Sequence, residues 1–378
     1  MLARTAARFG RPLGGIRSYS GDAKAVVYSQ HGRPLEVLKL HTYRLPAAGA
    51  GQVAVKFLSA PINPADINQV EGVYPLRPAF TQALGGDEPV AVGGNEGCVE
   101  IVGVGPGVDG LAVGDRAIMR HTLFGTWRTH ALATAADLIR IPYGPAEVSA
   151  VQAGTVSVNP TTAYQMLREF VALAPGDFFI QTGANSGVGR AAIQLGARWG
   201  FRSINVVRDR PDFDALAAEL TALGATHVVT ESQLADKGFR NVIKQWVAGS
   251  KLRLGLNCTG GASTTNIARQ LSEGGHLVTY GGMARQPITI PPSLFIFKDI
   301  HLHGYWLSRW ADANPAAKEA VLGELFGLVA RGELRDVPVD RAVWRDGMSD
   351  AERLDVFRGA VSAYIEGSKG RKQMLVHE

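Results

Sequence analysis

The stretch "QTGANSGVGRAAIQLGA", residues 181–197, decides the fold. Apolar residues lead into it ("DFFIQTG", 177–183), and a helical pattern leaves it ("GVGRAAIQLGARWG", 187–200). A strand, a glycine-rich turn and a helix form the phosphate-binding start of a dinucleotide fold. The turn needs small residues at three slots, for tightness, for backbone approach to a pyrophosphate and for close helix packing. Those slots hold Ala184, Ser186 and Gly189, with Gly183 and Gly187 beside them. The match is degenerate, so its neighbours must support it.

They do. The next strand, "SINVV" (203–207), ends in "RDRPD". An acid at its carboxyl end would bind the ribose hydroxyl of NAD, about 20 residues after the turn. Arg208 comes first here, followed by Asp209 and Arg210. A guanidinium fork suits a 2′-phosphate, and the predicted cofactor is NADPH. Pro211 opens a further helix and Gly224 marks its stop. "THVV", "LRLGLN" and "HLVTYGG" then read as strands between helices. Apolar strands alternating with helices form a doubly wound parallel sheet covered on both faces. "YGGM" (Tyr280, Gly281, Gly282, Met283) ends one of these strands with two glycines, where backbone can approach the nicotinamide half.

Upstream the rhythm differs. "AKAVVYS" (23–29), "QVAVKFLSA" (52–60), "GCVEIVGVG" (97–105) and "DRAIMR" (115–120) are short strands broken by Gly and Pro. They predict a small antiparallel, barrel-like domain. Downstream, helices over about 315–331 and 349–365 precede a last strand, "RKQMLVHE", which can return to that first domain. A length of 378 residues agrees with two domains.

The first twenty residues hold Arg4, Arg8, Arg11 and Arg17 and no acid before Asp22. That composition predicts a mitochondrial import segment over 1–20, with "RSYS" resembling a matrix-protease site. The chain has 39 basic and 34 acidic residues; without those four arginines the balance is 35 to 34. The basic character therefore lies largely in the removable segment and predicts no nucleic-acid partner. No apolar run approaches the ~18 residues of a membrane helix, and no membrane partner is expected. Cys98 and Cys258, 160 positions apart, form no metal or redox motif and read as small buried hydrophobes.

In their order, "NPADINQVEGVYP", "GGNEG", "NPTTAYQML", "TGANSGVG", "RDRP", "YGGM", "GYWLSRW" and "KGRKQMLV" resemble the medium-chain dehydrogenase/reductase superfamily, and within it the mitochondrial 2-enoyl-CoA reductases. The resemblance covers the chain from about Ala23 onward. It implies α/β architecture: a Rossmann NADPH-binding domain over 156–307 and a GroES-like β-barrel-type catalytic domain over 21–155 and 308–378. Zinc members of the superfamily place ligands where this chain has Asn63, Asn95 and Val158. Amides are poor zinc ligands and valine is none, so no catalytic metal is expected. His301 and His303 share a strand face but lack a third partner, which favours a structural role.

The implied activity is NADPH-dependent reduction of 2-enoyl thioesters, from CoA or acyl carrier protein, in the mitochondrial matrix. Hydride at Cβ leaves enolate charge on the thioester oxygen, and Cα needs a proton. The resemblance gives that task to Tyr74 of "GVYP". It gives Asn159 a cofactor contact near the nicotinamide and assigns the pyrophosphate to Asn185, Ser186, Gly187 and Val188. Arg208 to Arg210 take the adenosine phosphate, and Lys372 is a further cofactor contact. Tyr280 to Met283 and Tyr305, Trp306 and Leu307 flank the nicotinamide and the cleft. The family has phenylalanine at the place of Tyr305. "DIHLHGYW" matches the edge through which such reductases pair, so a homodimer is expected. Two rivals stay open: a zinc-less NADPH:quinone reductase, and a non-enzymatic NADPH-binding protein.

Overall fold

The computed structural model describes residues 19–367 and 370–378. The expected import segment lies, but for its last two residues, outside them.

Eight strands form the first part: β1 (Gly21–Tyr28), β2 (Lys39–Leu45), β3 (Gln52–Pro61), β4 (Ala91–Val92), β5 (Cys98–Val104), β6 (Arg116–Met119), β7 (His130–Thr134) and β8 (Leu138–Arg140). The second part contributes β9 (Phe178–Thr182), β10 (Arg202–Val207), β11 (His227–Thr230), β12 (Leu252–Asn257), β13 (His276–Thr279) and β14 (His301–Gly304). Two more strands follow, β15 (Val339–Trp344) and β16 (Lys372–His377).

The second part is a six-stranded, wholly parallel sheet in the order β11-β10-β9-β12-β13-β14. Its order reverses between β9 and β12, and a ligand crevice lies beyond the carboxyl ends of strands at such a point. β9 is buried along its whole length, as a central strand covered on both faces must be. In the first part, β3 is the hub. It pairs antiparallel with β5, β7 and β16, and the seven-stranded sheet runs β15-β16-β3-β5-β6-β8 with β7 on β3. The predicted return of the last strand is thus observed, and it brings residues 372–377 beside Ser59–Pro61.

One buried cluster joins the two parts. Cys98, Ile118 and Val148 of the first meet Tyr164, Leu167 and Leu195 of the second. The helix Pro315–Ala330, which the sequence reading assigns to the first domain, packs Val321, Leu325 and Phe326 into this shared cluster and lies against the helix Asn159–Glu169. Local pattern shows that helix but not the element it covers. A second cluster seals the first part, with Trp127 and Trp344 fully buried around Phe357 of the helix Asp350–Ile365. Among the described residues no helix is long and apolar enough to cross a membrane.

Candidate active site

The helix Pro64–Glu71 begins where sequence demands it. Pro64 needs no N–H partner in the first turn, and Asp66 Oδ2 accepts the Asn63 N–H at 2.7 Å. It stops at Gly72, whose φ of 78° is left-handed. A Cβ there would stand 2.8 Å from the His31 ring, so glycine alone fits. The chain then turns sharply, and the N–H groups of Val73 and Tyr74 both donate to Asn68 O, at 3.0 and 3.1 Å. This presents the Tyr74 ring to a solvent-open cleft of about 670 Å³ between the two parts.

In that cleft Trp306 Nε1 donates to Tyr74 Oη at 2.8 Å, and the rings meet edge to face with centroids 6.0 Å apart. Leu76, Met119, Leu307 and Ala311 line the apolar side. Burial holds the Tyr74 hydroxyl above its ordinary pKa; the Trp306 hydrogen bond opposes the shift and the Asp66 charge adds to it. The group is a neutral proton donor at physiological pH.

Behind Tyr74, the positions that hold zinc ligands in metal-bearing members form a buried polar cluster instead. Asn63 Nδ2 donates to Glu96 Oε2 at 3.0 Å, while Ser157 Oγ and the Val158 N–H donate to Glu96 Oε1 at 3.0 and 2.8 Å. Asn95 Nδ2 donates to Asp66 Oδ1 at 2.5 Å. The Lys372 ammonium donates to Asn63 Oδ1. Burial pushes Glu96 up and Asp66 up to about 6, and pushes Lys372 down, while the opposite charges pull all three back. Two amides and an ammonium do not fit a zinc ion. Lys372, expected as a cofactor contact, is placed in this cluster. Its side chain points into the cluster, because β16 inserts beside β3 and turns residue 372 inward.

The cofactor crevice is built from the turn after β9. Ser186 caps the helix Gly187–Arg198, its Oγ accepting the Gly189 N–H at 3.1 Å. The helix N-terminus therefore faces the crevice with oriented N–H groups, as an anionic pyrophosphate requires. A Cβ on Gly187 would lie 2.5 Å from Asn159 Nδ2, which fixes the asparagine beside the turn. A Cβ on Gly370 would lie 2.8 Å from Asn185 Nδ2, so the segment before β16 packs against the turn. Beyond β10, Arg208 is exposed, Asp209 is held by the Ser232 N–H at 3.1 Å and by the Ser232 hydroxyl, and Arg210 forks onto Asp212 at 2.5 and 2.7 Å. Arg208 is then the better placed of the two arginines for a 2′-phosphate. On the nicotinamide side, the buried hydroxyls of Tyr280 and Thr259 lack hydrogen-bond partners, polar atoms that a bound amide or ribose could satisfy. Gly281 lies against the Cys258 backbone, and the exposed Met283 is tied by its N–H to Cys258 O at 2.9 Å. These residues fit NADPH.

Tyr305 does not join them. It is buried in the shared core, edge-on to Phe170 at 6.1 Å, with its hydroxyl unpartnered. Successive residues of an extended segment point to opposite sides, so Trp306 reaches the cleft and Tyr305 cannot. Two residues at the site escaped the sequence reading. Gln69 lines the cleft, and Cys258 follows β12 with its Sγ 3.4 Å from Thr182 O. A readable signal existed for Gln69: it lies three residues after Asp66 and so shares its helix face.

Comparison with known proteins gives the following. Residues 49–143 match the alcohol dehydrogenase GroES-like domain, and residues 187–321 match the zinc-binding dehydrogenase family. The mitochondrial enoyl-[acyl-carrier-protein] reductase of Yarrowia lipolytica is 45% identical over 374 residues, covering 99% of this chain and 96% of its own. The human enzyme of the same name is 45% identical over 323 residues, covering 84% and 83%. Among solved structures, the complex of Etr1p with NADP and crotonyl-CoA superposes with a TM-score of 0.90 at 40% identity, over 94% of this chain and 99% of that one. The mitochondrial 2-enoyl thioester reductase Etr1p/Etr2p heterodimer from Candida tropicalis has the same TM-score at 41% identity, with coverage of 94% and 99%.

Proposed function

Because this chain belongs to the family of mitochondrial enoyl-[acyl-carrier-protein] reductases, we propose that it reduces 2-enoyl thioesters in mitochondrial fatty acid synthesis and that Tyr74 is its proton donor. The observation that supports the role of Tyr74 is its partnership with Trp306. The indole is a donor only, so it occupies a lone pair of Tyr74 Oη and leaves the phenolic proton to point elsewhere.

Bound NADPH supplies the hydride that adds to Cβ. The protein's part is to bind, orient and protonate. The helix start at Gly187 receives the pyrophosphate, Arg208 receives the 2′-phosphate, and Asn159 with Tyr280 brackets the nicotinamide end. The acyl chain lies along Leu76, Met119, Leu307 and Ala311, in a cleft whose apolar side limits water near the developing enolate. The Tyr74 O–H bond breaks as its proton passes to Cα, giving the saturated thioester. The Trp306 N–H stabilises the phenolate left behind, which regains a proton from solvent.

We further propose that the chain forms a homodimer. β14 is an edge strand, and beside it Ile296 and Phe297 are 71% and 77% exposed on the helix Pro292–Lys298. An open apolar edge calls for a partner, and a second copy of the chain pairs naturally there.

The function is tested by NADPH oxidation with 2-enoyl-CoAs of short, medium and long chain. Turnover of at least one of them is expected. Silence across the series would sink the reading.

A further inference from the structure

The loop that presents Tyr74 is tied down at both ends, and its far end depends on Asn95, which stands where zinc-bearing members place a ligand. Gln69 Nε2 donates to Leu76 O at 3.0 Å, two residues beyond Tyr74. Gln69 Oε1 accepts from Asn95 Nδ2 at 2.7 Å, and the same Nδ2 donates to Asp66 Oδ1 at 2.5 Å. Asn95 Oδ1 accepts the Leu123 N–H at 2.8 Å. A carboxylate only accepts and a backbone N–H only donates, so the Asn95 amide has one orientation. That orientation fixes the Gln69 amide in turn, with its NH2 toward Leu76 O. Gln69 is 4% exposed and Asn95 8%, so water offers little substitute for either bond.

We infer that Gln69 and Asn95 are positioning residues for Tyr74. The asparagine standing in a zinc-ligand slot now orients a glutamine, and the glutamine sets the height of the loop that carries the proton donor. Neither amide lies within hydrogen-bond reach of Tyr74 Oη, so they act through the loop rather than on the substrate. The near end of the loop, held by Asn68 O, fixes its entry. The Gln69 tie fixes its exit, so the angle of the Tyr74 ring toward Trp306 depends on both.

The inference rests on the proton-donor role of Tyr74, and its test separates the two. Gln69→Leu keeps the volume and removes the tie; Asn95→Ala removes the brace on Gln69. Each is made alone and together with Tyr74→Phe. In the parent chain, each lowers kcat on a 2-enoyl-CoA by about tenfold, the worth of one buried hydrogen bond, with KM changed less than about twofold. On the Tyr74→Phe background neither lowers kcat further, because nothing remains to position. Hydrogen exchange over residues 72–77, which needs no substrate, speeds up in both single variants. Should a variant fold poorly, Gln69→Met, which keeps an unbranched chain of similar length and adds no buried charge, removes the same tie, and the same non-additivity is expected. Equal losses on both backgrounds, or unchanged exchange over 72–77, overturn the positioning role. A parent chain that turns over no enoyl thioester overturns the function while the exchange result still judges the tie.

Discussion

Trp306 Nε1 donates to Tyr74 Oη at 2.8 Å, joining residues that lie 232 positions apart and in different parts of the fold. The bond spans the cleft, so the residue we propose as proton donor is held by both parts. Replacing Tyr74 by Phe keeps the ring and removes the proton. The expected result is a fall in kcat of about 100-fold or more, the usual worth of a positioned general acid, with NADPH affinity unchanged. Steady-state kinetics and NADPH titration check it. Since burial raises the Tyr74 pKa above its ordinary value, the proton is present at neutral pH and is lost only as pH rises through that raised value. kcat should therefore show no tyrosine titration between about pH 7 and 9.

Trp306→Phe removes the donor that stabilises the departing phenolate and keeps an aromatic wall. A loss in kcat of about tenfold or less is expected, smaller than that of Tyr74→Phe. A larger loss than for Tyr74→Phe would mean that the indole, not the phenol, carries the chemistry.

Arg208→Ala should weaken NADPH about 10- to 100-fold, as expected for one charge-assisted phosphate contact. Binding of NADH, which lacks the 2′-phosphate, should be unaffected. Parallel loss of both cofactors in a titration would place the phosphate elsewhere.

The apolar edge beside β14 predicts association. Ile296→Glu with Phe297→Glu places charge where an apolar partner surface should close. The parent chain should sediment as a dimer at micromolar concentration and the variant as a monomer. A parent that is monomeric in that experiment removes the dimer.

Two histidines predict acid sensitivity. His130 and His377 each have a ring nitrogen without a partner, and burial beside other positive charges depresses them to about 4 and about 3. Unfolded histidines titrate near ~6.5, so the unfolded chain takes up protons that the folded chain refuses. The stability held by the neutral rings is whole above that value and is lost as pH falls through the depressed values. His377→Phe, which can keep the edge-on contact with Trp344, should flatten the decline of Tm between about pH 6.5 and 4. An unchanged slope in calorimetry argues against this source.

Much of this could be read from residue order. The strand and helix around 181–197, the parallel strands after them and the late return of "RKQMLV" all follow from apolar period and glycine placement, which are local properties. Long-range choices stayed hidden. Tyr305 and Trp306 look alike as neighbours in a sequence, and only the side each takes at the end of β14 separates core from cleft. That the Lys372 ammonium meets Asn63 shows only once β16 is seated beside β3. The Gln69–Asn95 brace spans 26 positions and joins a helix to a loop, so no single window contains it.

The contact between Lys372 and Asn63 joins positions 309 residues apart. Until residues 372–377 are synthesised and seated, Asp66 and Glu96 face each other in a forming core without their counter-charge. Such non-local contacts form late in folding. The buried cluster behind Tyr74 thus gains its counter-charge only when the last strand is seated beside β3.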